Sequence, residues 1–213
     1  MTKAIIFDMD GTLFQTEMVL EYALEAVFAD LKSEGKWEGE APLDAYKDIM
    51  GVPLSVVWGT LLPEETEQVR EKINGKFQGY LISSIREGKG ALYPHVKETL
   101  ADLKEAGYTL LIASNGLPDY LKAIMDTYHL DRYISDVFSI AAVPSGDKGE
   151  LVEKVCRTYE VTEGTGVGDR LSDFNAAHRN RLKAVGCRFD FSKEEELKEA
   201  DVIIDDLQEL KNI

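Results

Sequence analysis

Six short apolar runs bounded by turn-forming residues, most of them separated by amphipathic stretches, limit the possible folds of this chain more than any other feature. The runs occupy residues 4–7, 108–113, 137–142, 164–168, 182–187 and 202–204. Between them, 94–106 sets Val96, Leu100 and Leu103 on one helical face, 117–128 does so for Tyr120, Leu121, Ile124 and Tyr128, and 148–159 for Leu151, Val152, Val155 and Tyr159. Strands that are apolar on both sides must be covered on both sides. The alternation therefore predicts βαβ units and an α/β fold, a Rossmann-like parallel-sheet core.

Residues 16–90 break the alternation, because they carry helical patterns and no convincing strand. Segments 17–32 and 64–87 read as long helices, and 54–62 as a shorter apolar piece between Pro53 and Pro63. The expected organisation is an α/β core of residues 1–15 and 91–213 with an inserted all-helical domain at 16–90, joined through 13–16 and 87–93. The charge run 193–199 reads as a solvated helix face.

Charge narrows the function. The 213 residues carry 24 Lys and Arg against 39 Asp and Glu, a formal charge of −15. A protein so acidic is not built to hold a nucleic acid polymer, and it can hold an anionic substrate only at a locally positive site that includes a metal ion. Cys156 and Cys187 are too few and too isolated for a disulfide framework or a zinc site. The first ten residues lack the apolar core of a signal peptide, and no run nears the roughly 20 apolar residues that span a bilayer. A cytoplasmic protein with no membrane partner is expected.

The first predicted strand ends in Asp8-Met9-Asp10-Gly11-Thr12, two carboxylates at i and i+2 where an open α/β sheet places its ligand crevice. Adjacent carboxylates repel unless a cation compensates, so the pair points to a divalent metal and a division of labour. A plain polar turn is the alternative. A second acidic pair, Asp169 and Asp173, follows the run ending at Gly168 and can supply hard oxygen ligands to Mg2+, or simply begin a helix with Ser172 or Asp173 as its cap. The glycines of this segment do not make a dinucleotide fingerprint, because the third is missing and the strand is the wrong one. Ser114, Asn115 and Gly116 end another strand and suit phosphate oxygens or a helix cap. Lys148, in the first turn of a predicted helix, sits where the helix dipole disfavours a cation and so asks for an anionic partner, unless it is merely solvated.

Taken in order, Asp8-Met9-Asp10-Gly11-Thr12-Leu13, Ser114-Asn115, Lys148 and Gly168-Asp169 with Asp173 resemble the motifs of the haloacid dehalogenase-like hydrolase superfamily. The resemblance covers essentially the whole chain and lies with its helical-cap phosphatases, the phosphoglycolate phosphatase-like and β-phosphoglucomutase-like enzymes. It implies a Mg2+-dependent phosphatase acting on a small phosphorylated metabolite. Asp8 would be the nucleophile that becomes an aspartyl-phosphate and Asp10 the acid and base. Mg2+ would be held by Asp8, the Asp10 carbonyl, Asp169 and Asp173, and the phosphate by Gly11, Thr12, Ser114, Asn115 and Lys148. A monomer or weak homodimer is expected.

Three departures from the family pattern stand out. A turn that often reads Tyr-Pro-Gly is here Tyr93-Pro94-His95, so His95 either touches substrate or fills space. The third motif lacks the common Lys-Pro pair, so that Lys148 itself begins the helix. Where many relatives have Gly, this chain has Arg181 after Asn180, and Asn180 is expected to take the left-handed turn. Two other functions share the residues: a phosphosugar mutase, and a metal- and phosphate-responsive binding protein without turnover. Of the insert, Trp58 is expected to be core, and Arg70, Lys76 and Arg86 are not placed in the site.

Overall fold

A computed structural model of the chain describes residues 2–49 and 54–212. Pro53, the expected edge of the 54–62 piece, lies outside the described residues. The chain divides into two compact units, Met1–Gln15 with Leu92–Ile213, and Thr16–Ala91.

The first unit is a six-stranded, all-parallel sheet in the order β3-β2-β1-β4-β5-β6. Its strands are β1 (Thr2–Phe7), β2 (Thr109–Ser114), β3 (Asp136–Ser139), β4 (Val161–Gly168), β5 (Lys183–Cys187) and β6 (Val202–Ile204). Ala4, Ile5, Ile6 and Phe7 of β1 and Leu110 to Ala113 of β2 are all buried, as strands covered on both faces must be. The sequence strand 137–142 is cut short. After Ser139 the chain enters a 3-10 turn, Ile140–Ala142, because the Ser139 hydroxyl accepts from the Ala141 N–H and so caps the turn.

The second unit is helical: α1 (Glu17–Ser33), α2 (Leu43–Asp48), α3 (Leu54–Leu61) and α4 (Glu67–Arg86). Its core is aromatic. Phe77 meets Trp58 edge-on at 5.3 Å and Tyr46 at 5.5 Å, and the Trp58 indole N–H donates to Asn74 Oδ1 at 3.0 Å. Arg70 is spent inside this unit, donating to the Leu62 and Pro63 carbonyls at 2.9 and 2.7 Å.

The remaining helices belong to the first unit: α5 (Val96–Glu105), α6 (Pro118–Tyr128), α7 (Lys148–Thr158), α8 (Leu171–Arg179) and the single turn α9 (Glu194–Leu197). Val96, Leu100 and Leu103 bury the face of α5 that their i, i+4, i+7 spacing predicts. His95 precedes that helix with φ 61°, the left-handed conformation for which glycine is favoured, and its Nδ1 pairs with Asp206 Oδ2 at 2.7 Å. Arg181, not Asn180, takes the left-handed turn after α8, with φ 59°, while Asn180 stays at φ −98°. The Asn180 side chain explains the difference. Its amide donates to the Gly149 and Ala176 carbonyls at 3.0 and 2.8 Å, tying the end of α8 to the start of α7. Among the described residues no helix is long and apolar enough to cross a membrane.

Candidate active site

The sheet register builds the site. Phe7 of β1 lies level with Val167 of β4, and the Asp8 N–H continues the ladder by donating to the Val167 carbonyl at 2.8 Å. Asp8 and Asp169 therefore leave adjacent strands side by side. Carboxylate oxygens of Asp8, Asp169 and Asp173 all lie within 4.8 Å of one another, and all three residues are buried.

Asp173 is both cap and cluster member. Its Oδ2 accepts from the Asp169 and Arg170 N–H groups at 3.2 and 3.1 Å, which satisfies orphan donors at the start of α8. Its Oδ1 faces the Lys148 ammonium. The two readings of this residue, helix cap and ligand, are compatible because one oxygen serves each.

Lys148 begins α7, with Asp147 as N-cap accepting from the Glu150 N–H at 2.8 Å. Its Nζ donates to Asp8 Oδ1 at 2.8 Å and touches Asp173 as well. The lysine disfavoured by the helix dipole thus finds its anions in the crevice. Behind it, Arg179 bonds Asp147 at 2.7 Å and Asn180 holds the Gly149 carbonyl, so α8 fixes the turn that carries the lysine.

Two glycines are required by the acids. Gly11 has φ +74°, and a Cβ there would stand 2.5 Å from Asp169 Oδ2. A Cβ on Gly168 would stand 2.3 Å from the Asp173 carboxyl carbon. These glycines of β4 and the first loop make room for carboxylates rather than for a dinucleotide. Thr12 is buried, and its hydroxyl donates to Asp169 Oδ1 at 3.2 Å. The Gly11 N–H is used within the loop, on the Phe14 carbonyl. Ser114 is fully buried at the end of β2, where its Oγ accepts from the Gly116 N–H at 3.0 Å, and Asn115 follows it, half-buried. Asp10 is half-buried, and the Tyr120 hydroxyl donates to its Oδ1.

Burial pushes the Asp8 carboxyl up to about 7 against the pull of Lys148, with Asp173 and Asp10 adding to the rise. Asp169 is pushed well above the ordinary carboxylate range by burial and by Asp173 and Asp8. Burial also opposes the charge of Lys148, but Asp173 and Asp8 outweigh it and hold that ammonium more firmly protonated than usual. If all three carboxylates were ionised, one ammonium would leave two negative charges uncompensated, which is why burial and mutual repulsion raise Asp8 and Asp169 in the absence of a further cation. A small divalent cation with a preference for hard oxygen donors fits both the donor set and the missing charge.

Three contributors escape a reading by pattern. Tyr120 looks like one more apolar position on a helix face. Asn180 looks like a turn residue. Glu196 lies in the acidic run, yet its carboxylate accepts from Arg170 Nε and the Leu171 N–H at 3.0 and 2.8 Å, bracing the turn that follows Asp169. The 193–199 run is therefore not a wholly solvated face, since Glu196 is half-buried against Arg170, a partner that no local pattern marks. Pairing between an exposed run and a distant turn leaves no periodic signal.

Comparison with known proteins follows the same lines as the geometry. A family model described as haloacid dehalogenase-like hydrolase matches residues 2–180. A phosphoglycolate phosphatase of Vibrio parahaemolyticus is 26% identical over 99% of this chain and 95% of its own length. The probable phosphatase IndB of Dickeya dadantii is 28% identical, over 99% of this chain and 92% of its own. A crystal structure of a predicted phosphoglycolate phosphatase from Haemophilus somnus superposes with a TM-score of 0.86 at 22% identity, covering 99% of this chain and 97% of that one, a likeness of fold.

Proposed function

The chain belongs to the haloacid dehalogenase-like hydrolases, and from that premise we propose that it is a phosphoric monoester hydrolase acting on a small phosphorylated metabolite, with Mg2+ as cofactor. The observation that carries this reading is Lys148, a buried ammonium held between the carboxylates of Asp8 and Asp173 beside Asp169. Such a cluster provides a nucleophile, a cation and a set of hard ligands in one buried place.

In the proposed reaction an Asp8 carboxylate oxygen attacks phosphorus as the bond to the ester oxygen breaks, giving an aspartyl-phosphate. Asp10 gives its proton to the departing alcohol. It then takes a proton from the water that attacks the intermediate, which returns the Asp8 carboxylate and inorganic phosphate. Lys148 orients Asp8 through its 2.8 Å bond and offsets charge gathering on the phosphoryl oxygens. Ser114 and Asn115, at the end of the neighbouring strand, hold those oxygens in line. The carboxylates of Asp8, Asp169 and Asp173 with the Asp10 carbonyl would hold Mg2+, which when bound supplies the positive charge that lets an anionic nucleophile approach an anionic ester. Thr12 and Gly11 act by shaping Asp169 and the loop.

Relatives named phosphoglycolate phosphatase make 2-phosphoglycolate the first ester to try. The test is phosphate release from a panel of 2-phosphoglycolate, sugar phosphates, nucleotides and phosphoamino acids, with Mg2+ and with chelator. Release that needs Mg2+ and disappears in Asp8→Asn is expected. No release from any ester in the presence of Mg2+ would overturn the proposal.

A further inference from the structure

We infer that Tyr120 is a positioning residue for Asp10, holding that carboxyl in the orientation from which it exchanges a proton with the ester oxygen and with water. The inference rests on the phosphatase reading above. Tyr120 lies in the first turn of α6, 110 residues along the chain from Asp10, and its ring is 4% exposed. A tyrosine so deeply placed needs a partner for its hydroxyl, and that partner is Asp10 Oδ1.

The turn that presents the ring is built for it. A Cβ on Gly116 would stand 3.0 Å from Tyr120 Cδ1 and 2.9 Å from Leu121 Cδ2, so the ring occupies space that only glycine leaves. Both polar groups of Gly116 are pinned: its N–H to Ser114 Oγ at 3.0 Å, and its carbonyl accepts from Ser139 Oγ at 2.6 Å. The hydroxyl of Tyr120 is thereby fixed relative to the ends of β2 and β3. Asp10, by contrast, sits on a loop beside a glycine of positive φ, where its own side-chain torsions are not fixed by a strand or helix. A hydrogen bond from the Tyr120 hydroxyl to Asp10 Oδ1 restrains those torsions.

Such a role predicts dependence on the leaving group. An alkoxide must be protonated as it departs, whereas p-nitrophenolate leaves without help. In Tyr120→Phe, kcat/KM for 2-phosphoglycolate with Mg2+ is expected to fall about tenfold, the size of a lost hydrogen bond to a charged group. For p-nitrophenyl phosphate the change should stay below about threefold, since that ester needs little acid assistance. Because kcat/KM reports the first chemical step, slower hydrolysis of the intermediate does not blur the contrast. Equal losses on both esters, or none on either, would overturn the inference. Gly116→Ala, which crowds the ring without removing the hydroxyl, should show the same selective loss and serves if Tyr120→Phe fails to fold. A crystal structure of the Tyr120→Phe protein adds an arm independent of turnover, in which the Asp10 carboxyl is expected to turn from its wild-type orientation. An unchanged Asp10 there refutes positioning. If the wild-type protein cleaves neither ester, the comparison is made with the alkyl ester that the panel above shows it does cleave; if it cleaves none of the panel, it is the phosphatase reading that fails, and the Asp10 orientation still decides the role of Tyr120.

Discussion

Two lysines of this molecule are each gripped by two carboxylates, one in each unit. Lys76 on α4 reaches Asp30 at 2.9 Å and Glu34 at 3.1 Å, with its side chain 46% exposed. Lys148 reaches Asp8 at 2.8 Å and Asp173 as well, with its side chain 8% exposed. Drawn as contacts, the two are alike. They differ in burial: around Lys76 bulk water screens the charges and solvates them almost as well as the partners do, whereas the buried charges around Lys148 are screened far less. The first arrangement decorates a surface, whereas the second concentrates charge where an anionic ester can be held. Each expected outcome below either breaks that contrast or sharpens it.

The largest effect is expected from Asp8→Asn. The amide is a poor nucleophile and a poor metal ligand, so turnover should fall at least about a thousandfold. Circular dichroism should report an intact fold. Activity within a few-fold of wild type would remove Asp8 from the chemistry and Lys148 from its purpose.

Lys148→Ala comes next. It strips the ammonium that pairs with Asp8 and Asp173 and leaves like charges facing each other, which should cost about 3 kcal/mol in denaturant unfolding without metal. Turnover should fall by about two orders of magnitude, as for other lost charge-stabilising donors. An unchanged unfolding midpoint would mean that burial does not separate the two lysines after all.

Metal and protons should compete for the same carboxylates. The Asp8 pKa is raised on folding, from an ordinary carboxylate value of about 4 to about 7. The folded state therefore binds more protons than the unfolded one in that window, and metal-free stability should fall as the pH rises from about 4 to 7. Mg2+ should reverse the loss. At a concentration about a hundredfold above its dissociation constant it should add about 2.7 kcal/mol near pH 7.5, and less near pH 5. Thermal unfolding with and without Mg2+ at the two pH values checks the sign. A metal effect larger at pH 5 would contradict it.

How much of this is legible in the sequence depends on whether a position announces itself by period or by place. Strands covered on both faces produce unbroken apolar runs, so all six are visible. The third is overextended by three residues, because the hydroxyl of Ser139 that ends it interrupts no hydrophobic pattern, and the fourth is cut short by three, because Val161, Thr162 and Glu163 belong to β4 but lie outside the apolar run. Asp8 and Asp169 are visible because each falls directly after such a run, where a parallel sheet opens its crevice, and Asp173 because it stands four residues on, in the first turn of the helix that follows. Their convergence on Lys148 is suggested by the lysine's awkward helical position. What stays hidden is support that arrives sideways. Tyr120, Asn180 and Glu196 act through pairings across 110, 31 and 26 residues, and each also fits a commonplace role in its own segment. His95 and Arg181 are visible as departures, but which residue absorbs the left-handed turn is set by the Asn180 amide and by Asp206, not by local preference.

A backbone substitution tests the same site without touching a charge. In Gly168→Ala the new methyl would meet the Asp173 carboxyl at 2.3 Å, and the strand and α8 are packed too closely to yield freely. A loss of about 2 kcal/mol is expected in unfolding, typical of overpacking a filled interior. Mg2+ affinity should weaken too, because Asp173 must move. A change in stability with metal affinity untouched would place Asp173 outside the metal set.

The smallest expected effect is the most telling about the contrast. Lys76→Ala deletes two ion pairs as short as many that are credited with holding proteins together. Yet the ammonium regains its hydration in the unfolded chain, its long stem regains rotamer freedom, and Asp30 and Glu34 remain solvated when it is gone. The unfolding midpoint should not move measurably, and turnover should be unchanged. Repeating the unfolding at low and high salt separates two causes, since added salt removes whatever the pairs contribute. A deficit in Lys76→Ala as large as that of Lys148→Ala, present at both salt concentrations, would show that geometry outranks burial in this molecule and would undo the reason for locating the chemistry at Lys148.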